Sequence, residues 1–143
     1  MRLFSIILII FISLTNEIKA DSKQLQILDI LKKGGNLIFI RHAYAPGGGD
    51  PVNFNINDCS TQRNLNETGR IQSKEIGKFF DEHIIPIDLV ISSEWCRCKE
   101  TAKIAFNDFE TRNFLNSFYN EKFAKNKNKQ MRNLKNYVDN WDS

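Results

Sequence analysis

Histidine and cysteine are scarce in the 143 residues: two histidines, His42 and His83, and three cysteines, Cys59, Cys96 and Cys98. That scarcity narrows the chemistry. A structural zinc site takes four Cys or His ligands at regular spacing. The "CRC" of Cys96 to Cys98 lacks the usual two-residue spacer and has no histidine nearby, so neither a metal nor a cofactor is expected. An excess of one charge is also lacking. Twenty basic and seventeen acidic residues leave a formal net charge of +3. Without residues 1–20, which hold Arg2, Lys19 and Glu17, the charge is +3 − 2 + 1 = +2. Such a balance does not call for nucleic acid. There is no internal repeat, and the length suits one compact domain rather than two.

Long apolar runs are few as well. The longest, "LFSIILIIFISL" at residues 3–14, follows Arg2 and precedes "TNEIKA". This is the plan of a secretory signal peptide over residues 1–20, with Ile18 and Ala20 as the cleavage pair before Asp21. A core helix and an uncleaved membrane anchor are the alternatives, although the run is short of the roughly 20 apolar residues a span needs. The expected location is periplasmic or secreted, with membrane contact only through this segment if it stays attached. Residues 21–143 then form the working domain. In an oxidising compartment three cysteines make one disulfide and leave one thiol. Cys96 and Cys98 are too close for an easy mutual bridge, so Cys59 pairs with one of them.

Beyond residue 20 the pattern alternates. "SKQLQILDILKKGG" predicts a helix capped by Ser22, striped by Leu25, Ile27, Leu28 and Leu31, and ended by Gly34. "NLIFI" predicts a strand covered on both faces. A polar loop runs from Ala43 to about Glu67. "TGRIQSKEIGKFFDEH" predicts a helix with Ile71, Ile76, Phe79 and Phe80 at helical spacing, barred from continuing by Pro86. "IDLVIS" predicts a second buried strand, "CKETAKIAF" a helix, and "NKQMRNLKNYVDNW" a helix with Met131, Leu134, Tyr137, Val138 and Trp141 on one face. Strand, helix, strand, helix implies an α/β fold with a parallel sheet. Ligands of such sheets collect beyond the carboxyl ends of the strands. Arg41 and His42 end the first strand, and Ser92, Ser93 and the "EWCRC" turn end the second, so Arg41, His42 and Arg97 are expected to converge.

Two arginines and a histidine beside Gly47, Gly48 and Gly49 make an anion pocket. A guanidinium offers paired donors that fit phosphate oxygens and stays charged. Glycines let backbone N–H groups approach a ligand. A neutral imidazole there can attack phosphorus and carry the phosphoryl group covalently, while the arginines stabilise charge on the equatorial oxygens. A lone Arg-His at a strand end is an ordinary surface or satisfied pair. "SSEWCRCKETA", with its own arginine at the neighbouring strand end, makes the combination point to phosphoryl chemistry.

The combination resembles the histidine phosphatase superfamily, branch 1, with its phosphoglycerate-mutase-like fold. "RHAYAP" stands where that family has an Arg-His-Gly motif. "NLNETGRIQSKEIGKFF" resembles its Leu-Thr-x-x-Gly-x-x-Gln segment through Leu65, Gly69 and Gln72, and "SSEWCRCKETA" its Ser-x-x-x-Arg-x-x-x-Thr-Ala segment. "RHAYAPGGGDP", "DCSTQRNL" and "WCRCKETA" are similar to small exported bacterial members related to lipopolysaccharide core heptose phosphatases. The resemblance covers Asn36 to about Phe106 and weakens afterwards. It implies a three-layer sandwich, a mainly parallel sheet with helices on both faces. It also implies His42 as the nucleophile that becomes phosphohistidine, with Arg41 and Arg97 binding the phosphoryl group and Arg63 joining them. The implied partner is a small phosphorylated substrate, with envelope sugar phosphates among the candidates. A phosphomutase is set aside because export separates the chain from glycolytic metabolites.

The chain departs from the family in two places. The family's second catalytic histidine, in a Val-Thr-His-like segment, has no counterpart. His83 ends the helix before the second strand, at the amino edge of the sheet, where a capping or solvated role is expected. With Ser143 directly after the last amphipathic helix, the expectation is a C-terminally incomplete copy. The proton donor also differs: relatives use a glutamate where this chain has Ser117. Asp50, in the glycine loop, is the first choice for that role, ahead of Asp58 and Glu110. An exported phosphomonoesterase is the leading expectation. The alternatives are a phosphate-binding or inactive truncated member and a remnant that does not fold stably.

Overall fold

The computed structural model describes residues 23–141. The signal segment expected at residues 1–20 and the cap expected at Ser22 lie outside the described residues. The first helix, α1 (23–32), ends where Gly34 takes a φ of +73°, a left-handed turn that costs glycine nothing sterically. Its amide donates to the Leu31 carbonyl at 3.2 Å. Leu25, Ile27 and Ile30 are exposed and Leu28 and Leu31 only half-buried, so the α1 stripe has little cover among the described residues.

After α1 come a 3-10 turn (Cys59–Thr61), α2 (Glu67–Glu82), β1 (Ile91–Ser92), α3 (Cys96–Phe106) and β2 (Glu110–Thr111). A second 3-10 turn (Asn113–Leu115), α4 (Glu121–Ala124) and α5 (Lys127–Asp139) complete the order. β1 and β2 run parallel on either side of α3 in sequence, with Ile91 opposite Glu110 and Ser92 opposite Thr111. This is an α/β arrangement whose sheet has two strands among the described residues, smaller than the three-layer sandwich expected. No described helix is long and apolar enough to cross a membrane.

The "NLIFI" run does not form the doubly covered strand expected of it. Residues 36–40 lie outside any strand, and their backbone makes no bond to other backbone among the described residues. Leu37, Ile38, Phe39 and Ile40 are all exposed, Phe39 at 69%. Apolar β-branched residues suit a strand, but a strand exists only through a partner, and no described segment supplies one. "IDLVIS" pairs only at its last two residues. Its partner β2, Glu110 and Thr111, is polar and too short to show a period of two.

The sequence signals for α2 and α3 hold, yet of the predicted α2 face only Phe80 is buried and Ile76 half-buried. Gly69, Ser73, Gly77 and Phe80 are buried, while Ile71 and Phe79 are exposed. Small residues permit close approach. A Cβ on Gly77 would stand 2.2 Å from the Ala105 carbonyl of α3, and one on Gly69 would stand 2.0 Å from the Tyr44 carbonyl. Phe80 meets Phe106 edge-on at 5.2 Å between centroids, closing the α2–α3 contact. Asn66 caps α2 by accepting from the Gly69 amide at 3.0 Å. α5 packs against the Asn113–Leu115 turn, with Tyr137 5.4 Å from Phe114. On its predicted face Leu134, Tyr137 and Trp141 are half-buried, whereas Met131 and Val138 are exposed.

Candidate active site

The two helices clamp the backbone just after His42. Ala43 N–H donates to Thr101 Oγ1 of α3 at 3.0 Å, and Tyr44 N–H donates to Gln72 Oε1 of α2 at 2.8 Å. Arg63 Nη1 donates to the Ala45 carbonyl. Ala43, Ala45 and Leu65 form a small buried apolar cluster beneath these contacts. Thr101 Oγ1 donates in turn to the Arg97 carbonyl at 2.7 Å, so one hydroxyl ties the histidine loop to the helix that carries Arg97. The close approach of Gly69 to Tyr44 belongs to the same clamp. Gln72 and Thr101 were visible in the sequence only as motif letters; their work is to hold backbone.

His42 is bonded at both ring nitrogens. Arg97 Nε lies 3.2 Å from His42 Nε2, and His42 Nδ1 lies 2.7 Å from the Ala43 carbonyl. Guanidinium nitrogens only donate, so Nε2 accepts and Nδ1 carries the proton that it gives to Ala43. The imidazole is therefore the neutral tautomer with its lone pair at Nε2. Burial pushes its pKa down, the Ala43 bond pushes it up, and Arg97, Arg63 and Arg41 push it down again, leaving it below the ordinary value. All three sequence-predicted arginines thus act on one ring.

Asp50 is a correction. Its carboxylate accepts from Arg97 Nη1 at 2.7 Å and Nη2 at 3.3 Å, from Trp95 Nε1 at 3.0 Å and from Arg63 N–H at 3.1 Å. Burial raises the carboxyl pKa, but these bonds outweigh it and hold it below the ordinary value. A general acid must carry a proton at working pH; a carboxylate held this way does not. Asp58 caps the first 3-10 turn through Ser60 and Glu110 pairs with Arg112, and neither lines the cleft around His42.

The loop bearing Asp50 and Arg63 is tied to α3 covalently. Cys59 and Cys96 form a disulfide, which resolves the choice of partner, and Cys98 is free. Burial raises the Cys98 thiol pKa against a lowering bond with Ser93, so this thiol is not a ready nucleophile. Beside the bridge, Cys96 N–H donates to Gln62 Oε1 at 2.9 Å. Trp95 stacks on Phe54 at 5.0 Å and meets Phe123 edge-on at 5.6 Å. The roles of Trp95 and Gln62 carried no signal in the sequence, since both depend on pairing across the loop.

Arg41, His42, Asp50, Arg63 and Arg97 all line one cleft of about 1380 Å³. Much of its remaining wall is apolar, including Ile38, Ile40, Leu89 and Phe106. His83 does not line it. Its backbone N–H and ring Nδ1 both lie within hydrogen-bond distance of the Phe79 carbonyl at the end of α2.

Neither a curated protein nor a solved structure matches the chain. Residues 37–142, which contain the clamped loop, the disulfide and the whole arginine-histidine cluster, match the histidine phosphatase superfamily (branch 1), and the chain belongs to that family.

Proposed function

We propose that the protein is an exported phosphomonoesterase that works through phosphohistidine at His42. The observation that carries this reading is the neutral His42 Nε2, 3.2 Å from the Arg97 guanidinium and under the influence of Arg41 and Arg63. A phosphoryl group entering there meets three cations, and the Nε2 lone pair is released for attack when the Arg97 Nε–H transfers its hydrogen bond to a phosphoryl oxygen. Nε2 forms a bond to phosphorus as the ester P–O bond breaks, and the departing oxygen takes up a proton from solvent water and leaves as the alcohol. Water then cleaves the P–N bond, releasing phosphate and restoring the imidazole. The guanidinium groups stabilise the charge that spreads over the equatorial oxygens. The depressed His42 pKa keeps the nucleophile unprotonated near neutral pH.

Export rests on the pattern of residues 1–20 and suits the Cys59–Cys96 bridge, since disulfides persist in oxidising compartments. That location, with the motifs shared with small exported members, favours an envelope sugar phosphate as substrate. Hydrolysis of p-nitrophenyl phosphate by residues 21–143 tests the reaction. Turnover is expected, with at least a thousandfold loss in His42→Ala at an unchanged melting midpoint; equal turnover by the variant refutes it. A second reading, phosphate binding without turnover, draws on the Arg97 Nε–H that occupies His42 Nε2. It predicts that phosphate raises the melting midpoint while no His42-dependent hydrolysis occurs.

A further inference from the structure

The five N–H groups of Arg97 are divided unequally. Asp50 takes one from each terminal nitrogen, at 2.7 Å from Nη1 and 3.3 Å from Nη2. The Arg63 carbonyl takes a second from Nη1 at 3.3 Å. What remains is the side edge of the guanidinium, Nε–H and the second N–H of Nη2, and Nε–H already lies on His42 Nε2. Asp50 is itself seated by Trp95 Nε1 and Arg63 N–H, neither of which belongs to Arg97's side chain. A carboxylate anchored from two other directions is a fixed seat rather than a movable plug. The Arg97 side chain is 8% exposed and Asp50 17%, so water competes little for either group.

We infer that Asp50 is the positioning residue of the site: by holding the end edge of the Arg97 guanidinium, it turns the side edge toward His42 Nε2 and the arriving phosphoryl oxygens. The inference deepens the phosphoryl-transfer reading and rests on it for the ligand's identity. Asp50 does not touch substrate; it acts through Arg97. The second N–H of Nη2 is open to one phosphoryl oxygen, and Nε–H passes from His42 Nε2 to a second oxygen as the ligand arrives, so that the side edge then grips the oxyanion with two parallel N–H groups. Trp95 serves the same end indirectly, as the donor that keeps Asp50 in place.

Two measurements on residues 21–143 test this: the imidazole ¹⁵N shifts of His42 by NMR, and the Kd of inorganic phosphate. Asp50→Asn keeps the side-chain shape but turns an N–H₂ toward donors. The expected results are a His42 Nε2 resonance moved toward that of an imidazole without a donor, at least a tenfold weaker phosphate Kd, and a kcat loss that exceeds any rise in KM. Shifts unchanged from wild type and a Kd within twofold overturn the inference. If Asp50→Asn fails to fold, Trp95→Phe removes only the indole N–H, and a two- to threefold weaker Kd with a smaller Nε2 shift is expected; no change in either overturns it. A wild-type chain that hydrolyses nothing but shows these Asp50-dependent changes defeats the phosphatase reading and leaves the positioning role standing. A hydrolysing wild type matched by Asp50→Asn does the reverse.

Discussion

Reduction of the Cys59–Cys96 bridge should cost this domain a large part of its stability. The two cysteines are 37 residues apart in the chain. Closing a loop of that length removes chain entropy from the unfolded state worth about 4 kcal/mol at 25 °C. Native domains are stable by only about 5–15 kcal/mol, and at this chain length 4 kcal/mol moves the melting midpoint by on the order of 15 °C. The Cys59 side of the bridge is exposed, so a dithiol reductant reaches it in the folded state. The assay is a circular dichroism melt of oxidised protein with and without dithiothreitol, repeated with Cys59→Ser. Both are expected to drop together, and Cys98→Ser is expected to keep the reductant-dependent drop. A midpoint that moves less than 3 °C on verified reduction would refute the loop-closure argument.

The remaining predictions concern the clamp and the charges. Gly69→Ala should lower the melting midpoint, because the gain in helix propensity of about 1 kcal/mol is outweighed by a Cβ placed 2.0 Å from the Tyr44 carbonyl, an overpacking cost of roughly 1–3 kcal/mol or more. Gly48→Ala, with nothing within 4 Å, should leave the midpoint unchanged, and equal effects at the two sites would contradict the account. Thr101→Val strands the buried Ala43 N–H and should cost about 1–3 kcal/mol in denaturant melts. In the pH profile of kcat/KM, the acid limb assigned to His42 should fall below its ordinary pKa of about 6.5. Arg63→Met, which removes one of the depressing charges, should move that limb upward. Asp50 has a depressed folded pKa, so its contribution to stability is complete above about 3.9 and is lost as pH falls through the folded value. A denaturation midpoint flat across that window would count against it.

What could be read from letters, and what could not, divides along physical lines. Local signals carried well: Gly34 ends α1, "CKETAKIAF" lies within α3, and the "RHAYAP" and "WCRCKETA" stretches bring His42, Arg41 and Arg97 to one cleft. Strand pairing did not carry. "NLIFI" has the composition of a buried strand, but its state depends on neighbours that a run of five residues does not specify. β2 is invisible because Glu110 and Thr111 show no apolar period. The packing face of α2 was legible only in part, through Phe80 and Ile76, for a related reason. Apolar periodicity marks large side chains, whereas this helix is seated by Gly69, Ser73 and Gly77, where the absence of bulk is the requirement. Asp50 illustrates the limit for sites: its place in the glycine loop suggested a proton donor, and only the four bonds around it reveal a carboxylate committed to Arg97.

The central claim is that phosphorus becomes bonded to His42 during turnover. Residues 21–143, mixed with a ³²P-labelled phosphomonoester and quenched in alkali within milliseconds, should carry label that acid removes, on the peptide containing His42. His42→Ala should carry none. Label that persists in that variant, or that maps to any other residue, contradicts the account.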